Sequence, residues 1–155
     1  MVALDFPPAN ERTRYRAMLD AIIDGTAANP PYVRRLALPR PTSWSHGRLE
    51  ADILIGADVT WSSGAVFGGY ITCLIDLYAG LAMLTVLPDR ARFLTGHLAV
   101  SFRLPLRPGP ASVEATVTEL AAHKAAAEVL IRQAGRITST GMATQIISRT
   151  EEEPP

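Results

Sequence analysis

Apolar and polar residues alternate along 96–104. Leu98, Val100, Phe102 and Leu104 fall on one side, and His97, Ala99, Ser101 and Arg103 on the other. The same period returns at 112–120, where Val113, Ala115 and Val117 oppose Glu114, Thr116 and Thr118. Runs at 126–133 and 137–148 have the same strand character. A period of two puts one face of a strand in a core and the other in water. "RPGP" (107–110), "AAHK" (121–124) and "AGR" (134–136) are short turn segments between these runs. The pattern therefore predicts four successive antiparallel strands forming a meander. An earlier run, 48–57, also has strand character.

Two segments have helical patterns. Tyr15, Met18, Leu19, Ile22 and Ile23 recur at helical spacing after a candidate N-cap at Asn10 and before a stop near Gly25. Residues 68–87, "GGYITCLIDLYAGLAMLTVL", show no polar face, and Pro88 follows them. They predict a helix apolar on every side, which is a buried one or a membrane one. Asp76, the only charge in the stretch, argues against a membrane, where a central Asp costs roughly 2.5–3.5 kcal/mol. The amphipathic strands that follow provide the cover instead. The expectation is an α+β layer packing, with an antiparallel sheet on one side of a central helix. A second copy of the chain is the natural cover for the helix face that the sheet leaves open. Residues 26–43 are proline-rich and expected to be irregular, and 60–69 form a loop into the helix. The chain divides into a lead-in at 1–45, one domain at 46–149 and a frayed tail at 150–155.

Composition narrows the function. The chain has 155 residues, 48% apolar and 19% charged, with zero net charge, which is the balance of a globular domain. No basic cluster exists to meet phosphates, so nucleic acid is not the expected partner. Cys73 is the single cysteine, so no internal disulfide forms, and a cytoplasmic location is expected. The N-terminal "MVALDFPPANERTRYR" has no apolar signal core. His46, His97 and His123 are scattered and form no metal-ligand spacing. No phosphate loop, dinucleotide fingerprint or serine nucleophile elbow occurs.

"GAVFGGYITCLID" places Gly64, Gly68, Gly69 and Asp76 at the spacing of a known signature: a Gly, then His-Gly-Gly, then an acid seven residues on. "FRLPLRPG" supplies an aromatic, a Pro and a Gly at a strand end, and "GRITSTGMATQII" a last strand. With these, the chain resembles the hotdog-fold acyl-CoA thioesterases of the phenylacetic acid degradation (PaaI) type, from about Gly64 to Ser148. The resemblance implies a sheet wrapped around one long helix, and active sites at a subunit interface of a homodimer or homotetramer. It departs at two positions: Phe67 stands where the signature has His, and Trp61 where Asn is frequent.

Thioester hydrolysis needs donors for the oxyanion and a group that activates water or attacks directly. The helix start at Gly68–Gly69 offers free amides and a positive dipole end. Asp76 is the candidate general base or nucleophile. Thr95 stands where some relatives carry a hydroxyl that assists the water. Gly64, Trp61, Phe67, Tyr70, His97 and Arg103 are candidate substrate contacts, with Tyr70 and Phe67 expected in an apolar tunnel that the lead-in segment caps. His97, on the polar face of its strand, is more readily read as a solvated surface group. No cofactor is expected beyond coenzyme A as part of the substrate, and no metal. Gly69 and Asp76 lie about 10.5 Å apart along one helix, so they can serve one carbonyl only across two chains. Two other readings stay open. Asp76 could be a structural acid held by Thr72 or Tyr78. Phe67 could mark a weak or inactive acyl-binding protein, or the fold could serve a dehydratase or isomerase.

Overall fold

The computed structural model describes residues 5–149, so the tail at 150–155 lies outside the described residues. Thr13 opens helix α1 (Arg14–Asp24), its hydroxyl accepting the Arg16 amide at 3.2 Å, and Gly25 closes it at φ 77°. The expected cap at Asn10 is therefore corrected. The chain there is turned around the Arg16 guanidinium, which takes the carbonyls of Pro8, Ala9 and Glu11, so no helix can begin. The proline-rich stretch also contains a short helix, α2 (Pro31–Arg35), with a proline in its first turn. Proline suits that position, because the missing N–H would have no partner there. Strands β1 (Ser43–Ser45) and β2 (Arg48–Ile55) form a hairpin around Gly47, whose φ is 76°. A 3₁₀ turn at Ala57–Val59 ends the strand character of 48–57.

The central helix α3 spans Gly68–Met83 and not the whole of 68–87. Thr85 explains the early end. Its hydroxyl donates to Ala82 O at 2.7 Å and accepts Gly47 N at 2.9 Å, while the amides of Leu84, Thr85 and Val86 make tight turns. A threonine that bonds back to the preceding turn competes with helix continuation. Strands β3 (Ala91–Phe102), β4 (Gly109–Ala121), β5 (Lys124–Gln133) and β6 (Arg136–Arg149) complete one antiparallel six-stranded sheet.

The order is β1-β2-β4-β5-β6-β3, so only β4, β5 and β6 form the expected meander. β3 lies at the far edge against β6. Alternation shows which face of a strand is buried but not which strand lies beside it. The two hairpins that do form turn through Ala122–His123 and Ala134–Gly135. The 103–108 link carries two prolines and crosses the sheet instead, anchored by Arg103 N and Leu104 N on Thr138 O at 2.8 and 3.0 Å.

α3 lies across the inward face of this sheet, giving the hotdog arrangement. The face is lined with small residues. Ala115, Ala127 and Ala143 are fully buried, and a Cβ at Gly141 would overlap Ile75 of the helix. Close approach of this kind depends on the missing side chain. Gly141→Ala is expected to lower stability by ~1–3 kcal/mol, the usual cost of overpacking, because Ile75 is a stiff β-branched neighbour. A shift in urea midpoint at unchanged slope measures it. An unchanged midpoint would show that the helix moves away without penalty.

Candidate active site

Asp76 projects from a face of α3 that the chain's own sheet does not cover. It is exposed in the single chain. Thr95 reaches it from β3, and the Thr95 hydroxyl donates to Asp76 Oδ1 at 2.8 Å. This contact depends on a bulge. The pairing of β3 with β6 slips between Thr95 and His97, so Gly96 is the extra residue. Residues on both sides of the bulge then face inward, Phe93 and Thr95 before it and Leu98 and Val100 after it. Bulges re-aim side chains in this way near functional sites. Phe102, expected on the buried face, is instead exposed at the strand end, where its ring covers Gly68.

The hydroxyls that could have made Asp76 a structural acid are used elsewhere. Thr72 donates to Gly68 O at 2.9 Å, and Tyr78 to Pro39 O at 2.9 Å. Oδ2 of Asp76 has no hydrogen-bond partner among the described residues.

The Asp76–Thr95 pair sits in the wall of a cleft of about 590 Å³. α3 supplies the floor through Cys73, Leu77, Gly80 and Leu81, and β3 supplies Phe93. α1 and the 27–41 segment form the opposite wall. That wall is pinned down. The Tyr15 hydroxyl donates to Ala91 O, and Arg14 N to Asp89 Oδ1 at 2.7 Å. Tyr70 donates to Ala37 O at 3.3 Å, and Trp44 Nε1 to Asp20 Oδ1 at 2.8 Å. Arg16, only 1% exposed, sends its Nε and Nη2 to Thr85 O at 2.9 and 2.8 Å, and Nη2 also meets His46 Nδ1 at 2.8 Å. The sequence carried no signal for this buried arginine beyond its place beside Tyr15 in an otherwise amphipathic helix.

At the start of α3 the amides of Gly68 and Gly69 have no acceptor among the described residues, as first-turn groups require. The glycines serve a second purpose. A Cβ on Gly69 would overlap the Phe67 ring, and one on Gly68 would press on Phe102. Phe67 and Trp61 meet edge to face with centroids 5.2 Å apart, both well exposed. Gly64 shapes the loop beneath them, in the left-handed region at φ 76° with its amide on Trp61 O at 2.8 Å. Tyr70 lies under the 27–41 segment, and neither it nor Phe67 lines the cleft. His97 and Arg103 are solvent-exposed. Thus Asp76 and Thr95 come together, Gly64, Trp61, Phe67, Gly68 and Gly69 cluster at the helix start, and the remaining candidates stand apart.

Gln145, directly across from Thr95 on β6, was not a sequence candidate; it is fully buried with neither amide atom hydrogen-bonded. Among the described residues, no three His, Cys, Asp or Glu side chains come together in a way that could hold a metal ion. Nor is any described helix long and apolar enough to cross a membrane.

The sequence profile of the thioesterase superfamily matches residues 63–140, the stretch that carries the helix start, Asp76 and Thr95. The chain belongs to the thioesterase superfamily. A protein of Saccharolobus solfataricus named for an inferred esterase activity is 29% identical over 106 residues, spanning 68% of this chain and 75% of the relative. The fold is shared with a phenylacetic acid degradation-related protein of Ralstonia eutropha, described as an inferred thioesterase, at TM-score 0.73 and 22% identity over 83% of this chain and 98% of that one. It is also shared with a Streptococcus mutans protein solved with acetyl CoA, at TM-score 0.65 and 14% identity over 72% and 90% of the two chains. The thioesterase match begins at residue 63, so the segment that walls the cleft at 15–41 lies outside it.

Both tyrosines that α3 sends into this wall have raised pKa values. For Tyr70 the cause is burial, then the charges of Asp58 and Cys73. For Tyr78 it is burial, then Tyr70, and the shift carries it far above the ordinary value of 10.0. Below that ordinary value the contribution of Tyr78 to stability is fully present. Above it, the unfolded chain releases a proton that the native state keeps, so stability falls as pH rises, by up to ~1.4 kcal/mol per pH unit. Tyr78→Phe is expected to cost ~1–3 kcal/mol at pH 7, since Pro39 O loses its donor, and to flatten the alkaline decline. Urea unfolding at pH 8 and above pH 10 measures both effects; an equally steep decline in the variant would contradict the assignment.

Proposed function

We propose that this thioesterase-superfamily chain hydrolyses acyl thioesters of coenzyme A or of a carrier-protein arm, with Asp76 activating water. The observation that carries the reading is the Thr95–Asp76 hydrogen bond at the wall of an apolar cleft. With Thr95 holding Oδ1, Oδ2 is the oxygen free to take a proton from water. The hydroxide formed attacks the thioester carbonyl carbon. The oxyanion is held by helix-start amides, the C–S bond breaks, and the thiolate leaves with the proton returned by Asp76. The Streptococcus mutans protein solved with acetyl CoA supports a CoA thioester as ligand.

The helix-start amides come from a second chain. Gly69, Thr72, Cys73, Asp76, Leu77 and Gly80 form one incompletely covered stripe along α3, in which Gly69 and Asp76 are seven residues apart. A two-fold axis through this stripe brings Gly69 of one protomer to Asp76 of the other. β3 is a sheet edge with Leu94 exposed, which leaves it open to the same partner.

Asp76→Asn is expected to lower kcat by ~10²–10⁴-fold in a thiol-release assay over a panel of acyl-CoAs. Thr95→Val, which removes one hydrogen bond to a charged group, is expected to lower it by ~10–100-fold. Activity that survives Asp76→Asn refutes the assignment. For the shared site, mixing Asp76→Asn protein with Gly69→Val protein after unfolding and refolding together should restore about a quarter of wild-type activity, since half the dimers carry one intact site of two. No recovery from two folded, individually inactive variants would place both groups' roles within one chain.

The Phe67 ring over Gly69 favours a second reading, an acyl-binding protein without turnover. Binding of acyl-CoA with no thiol release from any substrate would select it.

A further inference from the structure

We infer that Gln145 is a positioning residue for the hydrolysis: its buried side-chain amide donates to Thr95 Oγ1 and so commits the Thr95 hydroxyl proton to Asp76. The kinetic part rests on the thioesterase reading above, whereas the contact itself does not. Gln145 lies on β6, between β5 and β3, and is fully buried with neither amide atom hydrogen-bonded within the chain. Interiors rarely keep such a group without a use for it, since each unmet donor or acceptor costs stability. Its neighbours on the inward face are Ala143 and Ile147 along β6 and Ala125 across on β5. All three are apolar, so packing alone asks for an apolar side chain at this position.

One polar side chain stands opposite. Thr95 on β3 is paired with Gln145 in the register, and both face inward. Directly opposed side chains have their Cβ atoms about 4.5–5.5 Å apart. The Thr95 oxygen is one bond from its Cβ, and the Gln145 amide lies two carbons beyond its own, so the amide nitrogen can reach that oxygen. The last torsion of a glutamine is broad, and turning the amide costs little.

A threonine hydroxyl has one proton and two lone pairs. The Thr95 proton goes to Asp76 Oδ1 at 2.8 Å, and its lone pairs accept no hydrogen bond from the described residues. The amide has two ways to face this oxygen. With Oε1 toward it, the amide competes with Asp76 for the one proton. With Nε2 toward it, the amide fills a lone pair and leaves Asp76 as the acceptor. A hydrogen bond to a carboxylate is the stronger one, which selects the second orientation. The benefit is direction. A hydroxyl held by this donor stays on Oδ1, and Oδ2 remains the oxygen presented to water. Gln145 does not line the cleft, so it acts only through Thr95.

The test replaces Gln145 by Met, which keeps the length and removes both polar atoms, with Gln145→Leu as the alternative if the first variant does not fold. In a thiol-release assay on the full-length protein, Gln145→Met should lower kcat ~3–10-fold with KM unchanged, the effect of one neutral hydrogen bond. In the Thr95→Val background the same replacement should lower kcat by less than about twofold, because the oxygen it acts through is gone. Equal losses in the two backgrounds, the result of a merely structural role, overturn the inference, as does an unchanged kcat in Gln145→Met. The contact has a second readout that needs no turnover. Gln145→Met should raise the urea midpoint more in the Thr95→Val background than in the wild type, since there the amide has lost its acceptor. Equal shifts overturn the contact. The two readings separate. A wild type that cleaves no acyl thioester refutes the hydrolase, and unequal midpoint shifts still establish that Gln145 holds Thr95. Cleavage with equal kcat losses and equal midpoint shifts keeps the hydrolase and refutes the role of Gln145.

Discussion

A helix with no polar face has to be covered on every side, and α3 is such a helix. Its sheet side is covered at close range, because Gly141, Ala143, Ala127 and Ala115 present no large side chains to hold it away. That closeness makes Ile75 a key residue, seated where a Cβ on Gly141 would be. Burial of apolar surface supplies the driving force. The small residues decide where the helix axis lies, and so where Asp76 emerges relative to β3. The Thr95 contact follows from that placement together with the bulge at Gly96.

The remaining sides of α3 are covered unequally. α1 and the 27–41 segment span one of them without filling it, and the cleft is the volume left between. The stripe from Gly69 through Asp76 to Gly80 is only partly screened. A thioesterase of this architecture thus places its carboxylate at the boundary between a chain's own cover and whatever lies against the stripe. A carboxylate under the sheet would need full pairing to be tolerated, whereas at this boundary one hydroxyl and solvent suffice.

Much of this was legible in the sequence. Period-two alternation in 112–120, 126–133 and 137–148 reported the strands and their buried faces, and the apolar run around Asp76 reported the central helix. Asp76 and Thr95 were each candidates through a family likeness, but their contact was not legible, since nothing in the spacing of residues 76 and 95 implies it. Strand order was not legible, because alternation is blind to neighbours, and β3 moved to the far edge. The helix end was missed because Thr85 bonds backward, a choice made by tertiary contacts with Gly47 and Arg16. The role of Phe67 was read as a missing histidine. In the structure it is also a ring that requires glycine beneath it.

Most of the bonds that hold the cleft's outer wall share one property. Arg16, Tyr15, Tyr70 and Tyr78 direct their donors at the main-chain oxygens of Thr85, Pro8, Ala9, Glu11, Ala91, Ala37 and Pro39. A carbonyl oxygen is the same whichever residue bears it. The side chains of the 27–41 segment are therefore free to change in size and shape while its attachment to Tyr70 and Tyr78 persists, and the central helix need not change with them. The shape of the cleft's wall and the placement of Asp76 thus depend on different stretches of one short chain.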